Sequence, residues 1–248
     1  MSGPTIIFAI DSAETRLLSR YAEDGQLPFL GQFVKNWRIV EGPQHFCEMG
    51  AWTTFWSGVP AVQHGYHCIR RLIPGRYEVE LCHRPLRECP PFWTKMPGSV
   101  SIWDAQEYDP VPSLAGEQLC NWRTSFAERC PPTPASHPES LLDEVVSRFG
   151  KPTRPVAIDL KGTSRSKEKY FRMSKEKIAT CGRMFREAIR NGDRDLYIFG
   201  CAELHSAGHL CWTYEDEGEQ RMLELYQDLD RELESVFRSA PEDSQFLA

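Results

Sequence analysis

The sequence predicts an α/β fold with a mainly parallel central sheet flanked by helices. Short apolar runs without polar alternation, at Ile6–Ile10 and Asp195–Cys201, are typical of strands buried on both faces. A helical pattern follows each run, and strands that alternate with helices build parallel sheets. With 248 residues, of which 41% are hydrophobic and 26% charged, the chain is long enough for one large domain.

The spacing of apolar residues predicts the other elements in order. Helices are expected at Glu14–Asp24, Pro28–Asn36, Lys167–Asn191 and Glu217–Phe237. Further strands are expected at Val100–Trp103 and Pro155–Leu160, and a last one begins at Ser244. Residues 66–155 are rich in proline, so we interpret them as a loop-rich region or partial cap within a single domain 1–248.

Composition excludes several classes of protein. The net charge of −6 argues against a nucleic-acid surface, and no apolar run is long enough to cross a membrane. The N-terminus has no basic region before its apolar run, so no secretion signal is predicted and the chain is expected to be cytoplasmic. The nine cysteines lack CxxC spacing, which indicates buried thiols rather than a zinc ribbon.

Three segments carry residues that commonly bind metals. Asp11 ends the first buried strand, while His205 and His209 follow another, with Glu203 just before them. The third segment is turn-rich and begins at Cys47. Ligands bind at the carboxyl edge of open α/β sheets, and mixed carboxylate and imidazole groups suit zinc. Taken singly, each segment has a plainer explanation, since an aspartate at a strand end often only caps the next helix.

In their order along the chain, these segments resemble the phosphodiesterase and phosphohydrolase branch of the alkaline-phosphatase superfamily. The resemblance is carried by IIFAIDS (6–12), GQLPFL (25–30), AWTTFWSGVPAVQHG (51–65) and ELHSAGH (203–209). It implies a metal-dependent hydrolase of phosphate esters, whether phosphodiester, nucleotide pyrophosphate or phosphomonoester. Two divalent metal ions are implied, with zinc expected and manganese as the alternative, and no organic cofactor. By the resemblance, Asp11 binds one ion, and His205 and His209 bind the other.

The chain departs from the family pattern at three places. Glu48 occupies the position of the nucleophilic Thr or Ser, where a carboxylate can bind metal or act as a base; Cys47 beside it is the alternative nucleophile. His205 replaces an aspartate, which removes a negative charge that Glu203 could restore. The later S-D-H-G motif is absent, so we expect the chain to lack the C-terminal strands and some of the metal ligands.

The expected partner is a small phosphorylated substrate. Arg70, Arg71 and Arg76 follow the HG pair and are candidates to bind a phosphate, because the planar guanidinium group suits its oxygens. The alternative hypothesis is a non-catalytic relative or fragment of this fold that binds a ligand or protein. A mutase also stays open, whereas the residues around Cys47 lack the sulfatase pattern C/S-x-P-x-R. The sequence leaves the oligomeric state open.

Overall fold

The structure, a computed structural model, describes residues 3–33, 50–68, 70–81, 88–122, 134–151, 164–211 and 217–247. The strands in these ranges are β1 (Thr5–Ile10), β2 (Arg70–Leu72), β3 (Val79–Leu81), β4 (Val100–Ala105), β5 (Gly116–Cys120), β6 (Ala135–His137), β7 (Leu196–Cys201) and β8 (Gln245–Leu247). The α-helices are α1 (Thr15–Glu23), α2 (Ala51–Ser57), α3 (Ala61–His64), α4 (Ser140–Phe149), α5 (Ser164–Asn191), α6 (Glu203–Cys211) and α7 (Gly218–Phe237). Short 3₁₀ helices lie at Leu30–Gln32 and Phe92–Lys95.

The central sheet has the strand order β6-β5-β4-β7-β1-β8. β1 runs parallel to both β7 and β8, and β4 runs parallel to both β5 and β7. Within the described part of this sheet, only the edge strand β6 is antiparallel to its neighbour; β2 and β3 form a separate antiparallel pair. The predicted fold class, a mainly parallel sheet flanked by helices, is therefore confirmed.

Both faces of the sheet are buried, as the unbroken apolar runs predict. Along β1, Ile6 and Phe8 pack into the core under α5, α6 and α7, while Ile7 and Ala9 pack into a second core on the other face. Trp56 and Trp93 fill that second core, and each is only 1% exposed. These two tryptophans are therefore packing residues.

Two long helices cover the first face. The buried positions of α7 recur at steps of three or four residues: Met222, Leu225, Leu229, Leu233 and Val236. This spacing places one apolar stripe along a helix, and it confirms the helix predicted at Glu217–Phe237. Lys175 and Arg186 of α5 form ion pairs with Glu224 and Glu232 of α7, which fasten the two helices together above the core.

The helix expected at Pro28–Asn36 is wrong over its described part, which contains only the 3₁₀ turn Leu30–Gln32. A tertiary contact ties this turn to α7. The buried carboxylate of Asp230 on α7 accepts hydrogen bonds from the backbone N–H groups of Phe29 (3.1 Å) and Leu30 (2.8 Å). In a helix that began at Pro28, both N–H groups would lie in the first turn and lack a carbonyl partner within the helix, and Asp230 supplies that partner from α7.

The proline-rich region supplies part of the sheet. Its described residues include β4, β5 and β6, of which only β4 was predicted as a strand. β5 was not predicted because its buried residue Gln118 is polar and interrupts the apolar pattern. The side-chain amide of Gln118 donates to the carbonyl of Val111 and accepts from its N–H. The domain boundaries stay a prediction, and the strand expected at 155–160 lies outside the described residues. None of the described helices combines the length and apolar character needed to cross a membrane.

Candidate functional site

Asp11 and helix α6 lie side by side because their strands are neighbours. β1 pairs with β7 along its whole length, and the backbone N–H of Asp11 donates to the carbonyl of Cys201 at 2.8 Å. Asp11 begins the turn after β1, whereas α6 begins two residues after β7 ends. The strand order thus brings residues almost 200 positions apart to the carboxyl edge of the sheet, which is where open α/β folds bind their ligands.

Asp11, Ser12 and His205 form a compact hydrogen-bonded cluster at this edge. His205 Nδ1 lies 2.9 Å from Ser12 Oγ and 3.4 Å from Asp11 Oδ2. Ser12 Oγ also lies 3.3 Å from Asp11 Oδ1. The hydrogen bond with Asp11 raises the pKa of His205 above its ordinary value, although partial burial of the ring opposes the rise.

His209 lies next to this cluster on the same helix. Its ring centroid is 5.0 Å from that of His205, and the two rings meet edge to face. Asp, His and His are donors that zinc accepts, so the chemistry of the three side chains fits a divalent ion. Among the residues that the structure describes, however, no three His, Cys, Asp or Glu side chains come close enough to hold one ion together.

Glu203 is engaged on the other side of α6. Its side chain is 3% exposed and its Oε2 lies 3.5 Å from Nζ of Lys177, itself only 7% exposed, on α5. A buried carboxylate needs such a partner because an isolated charge is costly to remove from water. Glu203 and Lys177 therefore form a buried ion pair that joins α6 to α5.

A second buried carboxylate, Glu107, lies at the same edge of the sheet just after β4. Its Oε2 accepts from the N–H of Thr53 and from Thr53 Oγ1, both at 2.9 Å, and its Oε1 accepts from the N–H of Gly50 at 3.3 Å. Burial raises the pKa of Glu107, and these donors oppose the rise. Glu107 thereby holds the first turn of α2, a role that its sequence position did not indicate.

Backbone strain concentrates at this edge. In the part of the chain that the structure describes, four non-glycine residues have positive φ: Ser12 (58°), Asp104 (61°), Glu107 (63°) and Asn121 (57°). They lie at or just beyond the carboxyl ends of β1, β4 and β5. Asn121 Oδ1 accepts a hydrogen bond from the backbone N–H of Glu107 at 3.0 Å, so two of these four residues are bonded to each other. Such conformations are sparsely populated and cluster at functional sites.

The HG pair of the predicted motif has a structural role. His64 is fully buried, its Nδ1 accepts from the N–H of Tyr66 at 3.0 Å, and its Nε2 lies 2.9 Å from Thr54 Oγ1. Gly50 packs against this corner with φ of +86°, and a Cβ there would lie 2.2 Å from the carbonyl oxygen of Tyr66. These contacts join α3 to the start of α2.

The three predicted substrate-binding arginines lie on the hairpin of β2 and β3, apart from the central sheet. Arg71 Nε donates to Glu80 Oε1 at 2.7 Å, Arg76 Nη1 lies 3.8 Å from Glu78 Oε2, and Arg70 is exposed. Their role in binding a phosphate stays a prediction. Cys47 and Glu48, the predicted nucleophile or base and metal ligand, lie outside the described residues.

Comparison with solved structures supports the fold. The fold is similar to that of phosphonoacetate hydrolase. Crystal structures of that enzyme from Sinorhizobium meliloti 1021, in complex with phosphonoformate and with phosphonoacetate, each match with a TM-score of 0.57 and 15% sequence identity. Each match covers 96% of this chain and 54% of the hydrolase chain, so this chain spans about half the length of the hydrolase. The sequence matches no family model and no curated protein.

Proposed function

We propose that this chain carries part of a metal-dependent hydrolase of the alkaline-phosphatase superfamily that acts on a phosphoryl or phosphonyl group. The observation that carries the proposal is the contact of Asp11 and Ser12 with His205 at the carboxyl edge of the sheet. The motif order along the chain and the fold shared with phosphonoacetate hydrolase support it. The substrate class follows from the superfamily resemblance and from the phosphonate ligands of that enzyme.

The cluster of Asp11, His205 and His209 is the proposed metal-binding point, with zinc as the expected ion and manganese as the alternative. A bound divalent ion would supply positive charge that stabilises the negative charge developing on a phosphoryl group. The chain's own residues orient the donors, since Asp11 and Ser12 contact one edge of the His205 ring. Glu48 is proposed as a further ligand or as the base, and Cys47 as the alternative nucleophile.

Arg70, Arg71 and Arg76 are proposed to bind an anionic group of the substrate. If one of them does so, replacement by alanine should raise KM, because a guanidinium group binds the phosphate oxygens of the substrate in the ground state as well as in the transition state. Arg70 is the sharpest choice, because Arg71 and Arg76 each lie beside a hairpin glutamate. An unchanged KM for all three variants would remove them from the site.

A non-catalytic binding protein of the same fold is the second candidate function. It is favoured by the absence of a closed three-ligand metal cluster among the described residues. A binding protein would hold a phosphorylated or phosphonylated ligand at this edge without turning it over. The two functions therefore predict different results with the same substrates.

The test combines metal content with turnover by the purified chain. Hydrolysis of p-nitrophenyl phosphate, bis(p-nitrophenyl) phosphate and phosphonoacetate is measured with added zinc, with added manganese and after chelation. The proposal expects chelator-sensitive turnover of at least one substrate, lost in His205→Ala and retained in His137→Ala, a control on the edge strand β6. Bound metal without turnover would favour the binding protein, and neither metal nor turnover would contradict the enzyme hypothesis.

A further inference from the structure

Ser12 carries an exposed hydroxyl in the sharp turn between β1 and α1. Its φ of 58° lies in the left-handed region, which residues other than glycine rarely adopt. On one side of the turn, the N–H of Asp11 donates to the carbonyl of Cys201 at 2.8 Å. On the other side, the N–H of Glu14 donates to the hydroxyl of Tyr226 at 2.9 Å. A strained turn from strand to helix also carries the nucleophilic serine of α/β-hydrolases, where it exposes that side chain at the edge of the sheet.

Two proton acceptors lie beside the Ser12 hydroxyl. His205 Nδ1 lies 2.9 Å from Ser12 Oγ, and Asp11 Oδ1 lies 3.3 Å from the same oxygen. When the neutral ring carries its hydrogen on Nε2, Nδ1 accepts the hydrogen bond of Ser12, and when the hydrogen is on Nδ1, Asp11 accepts it instead. The hydroxyl therefore has an acceptor in either tautomer of the ring. A serine becomes nucleophilic when such a neighbouring base takes its proton.

The charges around Ser12 favour an uncharged substrate. The carboxylate of Asp11 contacts the hydroxyl, and a second acidic residue, Glu14, caps α1 two residues later. These negative charges repel a phosphate ester, which is itself negative, whereas they do not repel an uncharged carboxylic ester. The pair is also open to such a substrate, because Ser12 is exposed and the side chain of His205 is 37% exposed.

We propose that Ser12 is a nucleophile that cleaves small uncharged carboxylic esters, with His205 as its general base. Ser12 Oγ attacks the carbonyl carbon and forms an acyl bond, while its proton passes to Nδ1 of His205, the nearer acceptor. The bond to the alcohol oxygen of the ester breaks, and that oxygen takes the proton from Nδ1. Water then attacks the acyl group and gives a proton to Nδ1, which returns it to Ser12 Oγ as the acid leaves. The inference goes beyond the proposed function, because none of these steps needs a metal ion.

Asp11 and His209 are positioning residues for the base. Asp11 Oδ2 lies 3.4 Å from Nδ1 of His205, so its carboxylate faces the positive charge that the ring gains with the proton. The ring of His209 packs edge to face against that of His205, with 5.0 Å between the centroids. A base that is itself oriented by a third group is the usual companion of a nucleophilic serine.

The first test looks for the modified serine. The chain is incubated with p-nitrophenyl acetate, and separately with the uncharged serine reagent phenylmethylsulfonyl fluoride, in both cases with a chelator present. Peptide mass spectrometry after acid quenching is expected to find Ser12 modified. The exposed Ser113, in the turn before β5, is the internal control and should stay unmodified. If neither reagent modifies Ser12, the proposal is overturned.

The second test assigns the roles from the rate of sulfonylation at Ser12 and from ester turnover. Ser12→Gly, which adopts a positive φ without strain, should lose ester turnover in the presence of the chelator. His205→Gln should slow sulfonylation by about 100-fold or more, the usual contribution of a general base, and His137→Gln on β6 should react as the wild type does. Asp11→Asn should slow it less than His205→Gln, and Asp11→Glu, which restores the carboxylate, should be faster than Asp11→Asn. An unchanged rate in His205→Gln, or a larger loss in Asp11→Asn, would overturn the role of His205.

Failure of this inference and failure of the proposed function give different results. Chelator-sensitive hydrolysis of a phosphoester without modification of Ser12 overturns the inference and leaves the proposed function standing. Modification of Ser12 in the presence of a chelator, without any metal-dependent hydrolysis, supports the inference and contradicts the proposed function.

Discussion

Replacing Asp230 by alanine should loosen the segment that follows α1 from helix α7. The Asp230 side chain is 1% exposed and accepts the backbone N–H groups of Phe29 and Leu30. Both of these residues are buried, so their N–H groups would lose their partner without gaining water. Unlike a surface ion pair, this contact cannot be replaced by solvent.

The size of the effect follows from the two hydrogen bonds. A hydrogen bond to a charged acceptor contributes about 1.5–3 kcal/mol, so loss of both should lower the free energy of unfolding by about 3–6 kcal/mol. Asp230→Asn keeps one acceptor oxygen and should lose about half as much. Since a domain is stable by roughly 5–15 kcal/mol in total, the alanine variant should be clearly destabilised.

The effect should also depend on pH. Burial raises the pKa of Asp230 above its ordinary 3.8, although the two N–H donors oppose the rise. The folded chain then holds the proton more tightly than the unfolded chain, so this contribution to stability is present at low pH and is lost as the pH rises through the raised pKa. The advantage of the wild type over Asp230→Asn should therefore shrink as the pH rises above the ordinary value of 3.8 and through the raised pKa.

The assay is urea unfolding followed by tryptophan fluorescence, with the free energies and m-values of each variant compared. Asp24→Ala, at an exposed position, serves as the control and should change stability by less than about 0.5 kcal/mol. A loss below about 1 kcal/mol for Asp230→Ala, at an unchanged m-value, would refute the reasoning. It would mean that the segment after α1 is held by apolar packing alone.

Two further predictions concern α2 and the cysteines. Thr53→Val removes the hydroxyl that donates to Glu107 and should lower the free energy of unfolding in urea by about 1–2 kcal/mol. The control Thr180→Val, on the exposed side of α5, should lower it by less than about 0.5 kcal/mol. Equal losses for the two variants would contradict the role of Glu107. In the native chain, Cys68 is exposed and should react with a maleimide within minutes, as peptide mass spectrometry would show. Cys120 and Cys211 should react only after unfolding, because both are buried and burial raises the pKa of the Cys211 thiol to about 12; native labelling of either would contradict their burial.

The sequence could predict the elements whose buried residues form an unbroken apolar run or recur at a short, regular spacing. β1, β7 and α7 show unbroken apolar runs or three- and four-residue steps, and each was predicted within a residue or two of its observed bounds. Asp11, His205 and His209 could be placed near the carboxyl edge of the sheet for the same reason, since they follow recognisable strands; their role as metal ligands stays a prediction. β5 was missed because Gln118 in its interior gains hydrogen bonds only from the folded loop beside it.

The sequence by itself determined the fold class and the strand ends where polar side chains collect, because periodicity and turn residues are local properties. Only the tertiary structure decided which of these side chains meet. The strand order β4-β7-β1 places His205 in contact with Asp11 and Ser12. Glu203 instead pairs with Lys177, and Glu107 accepts hydrogen bonds from the first turn of α2. Such pairings depend on strand order and on the faces that helices bury, and these follow from packing over the whole chain rather than from any local pattern.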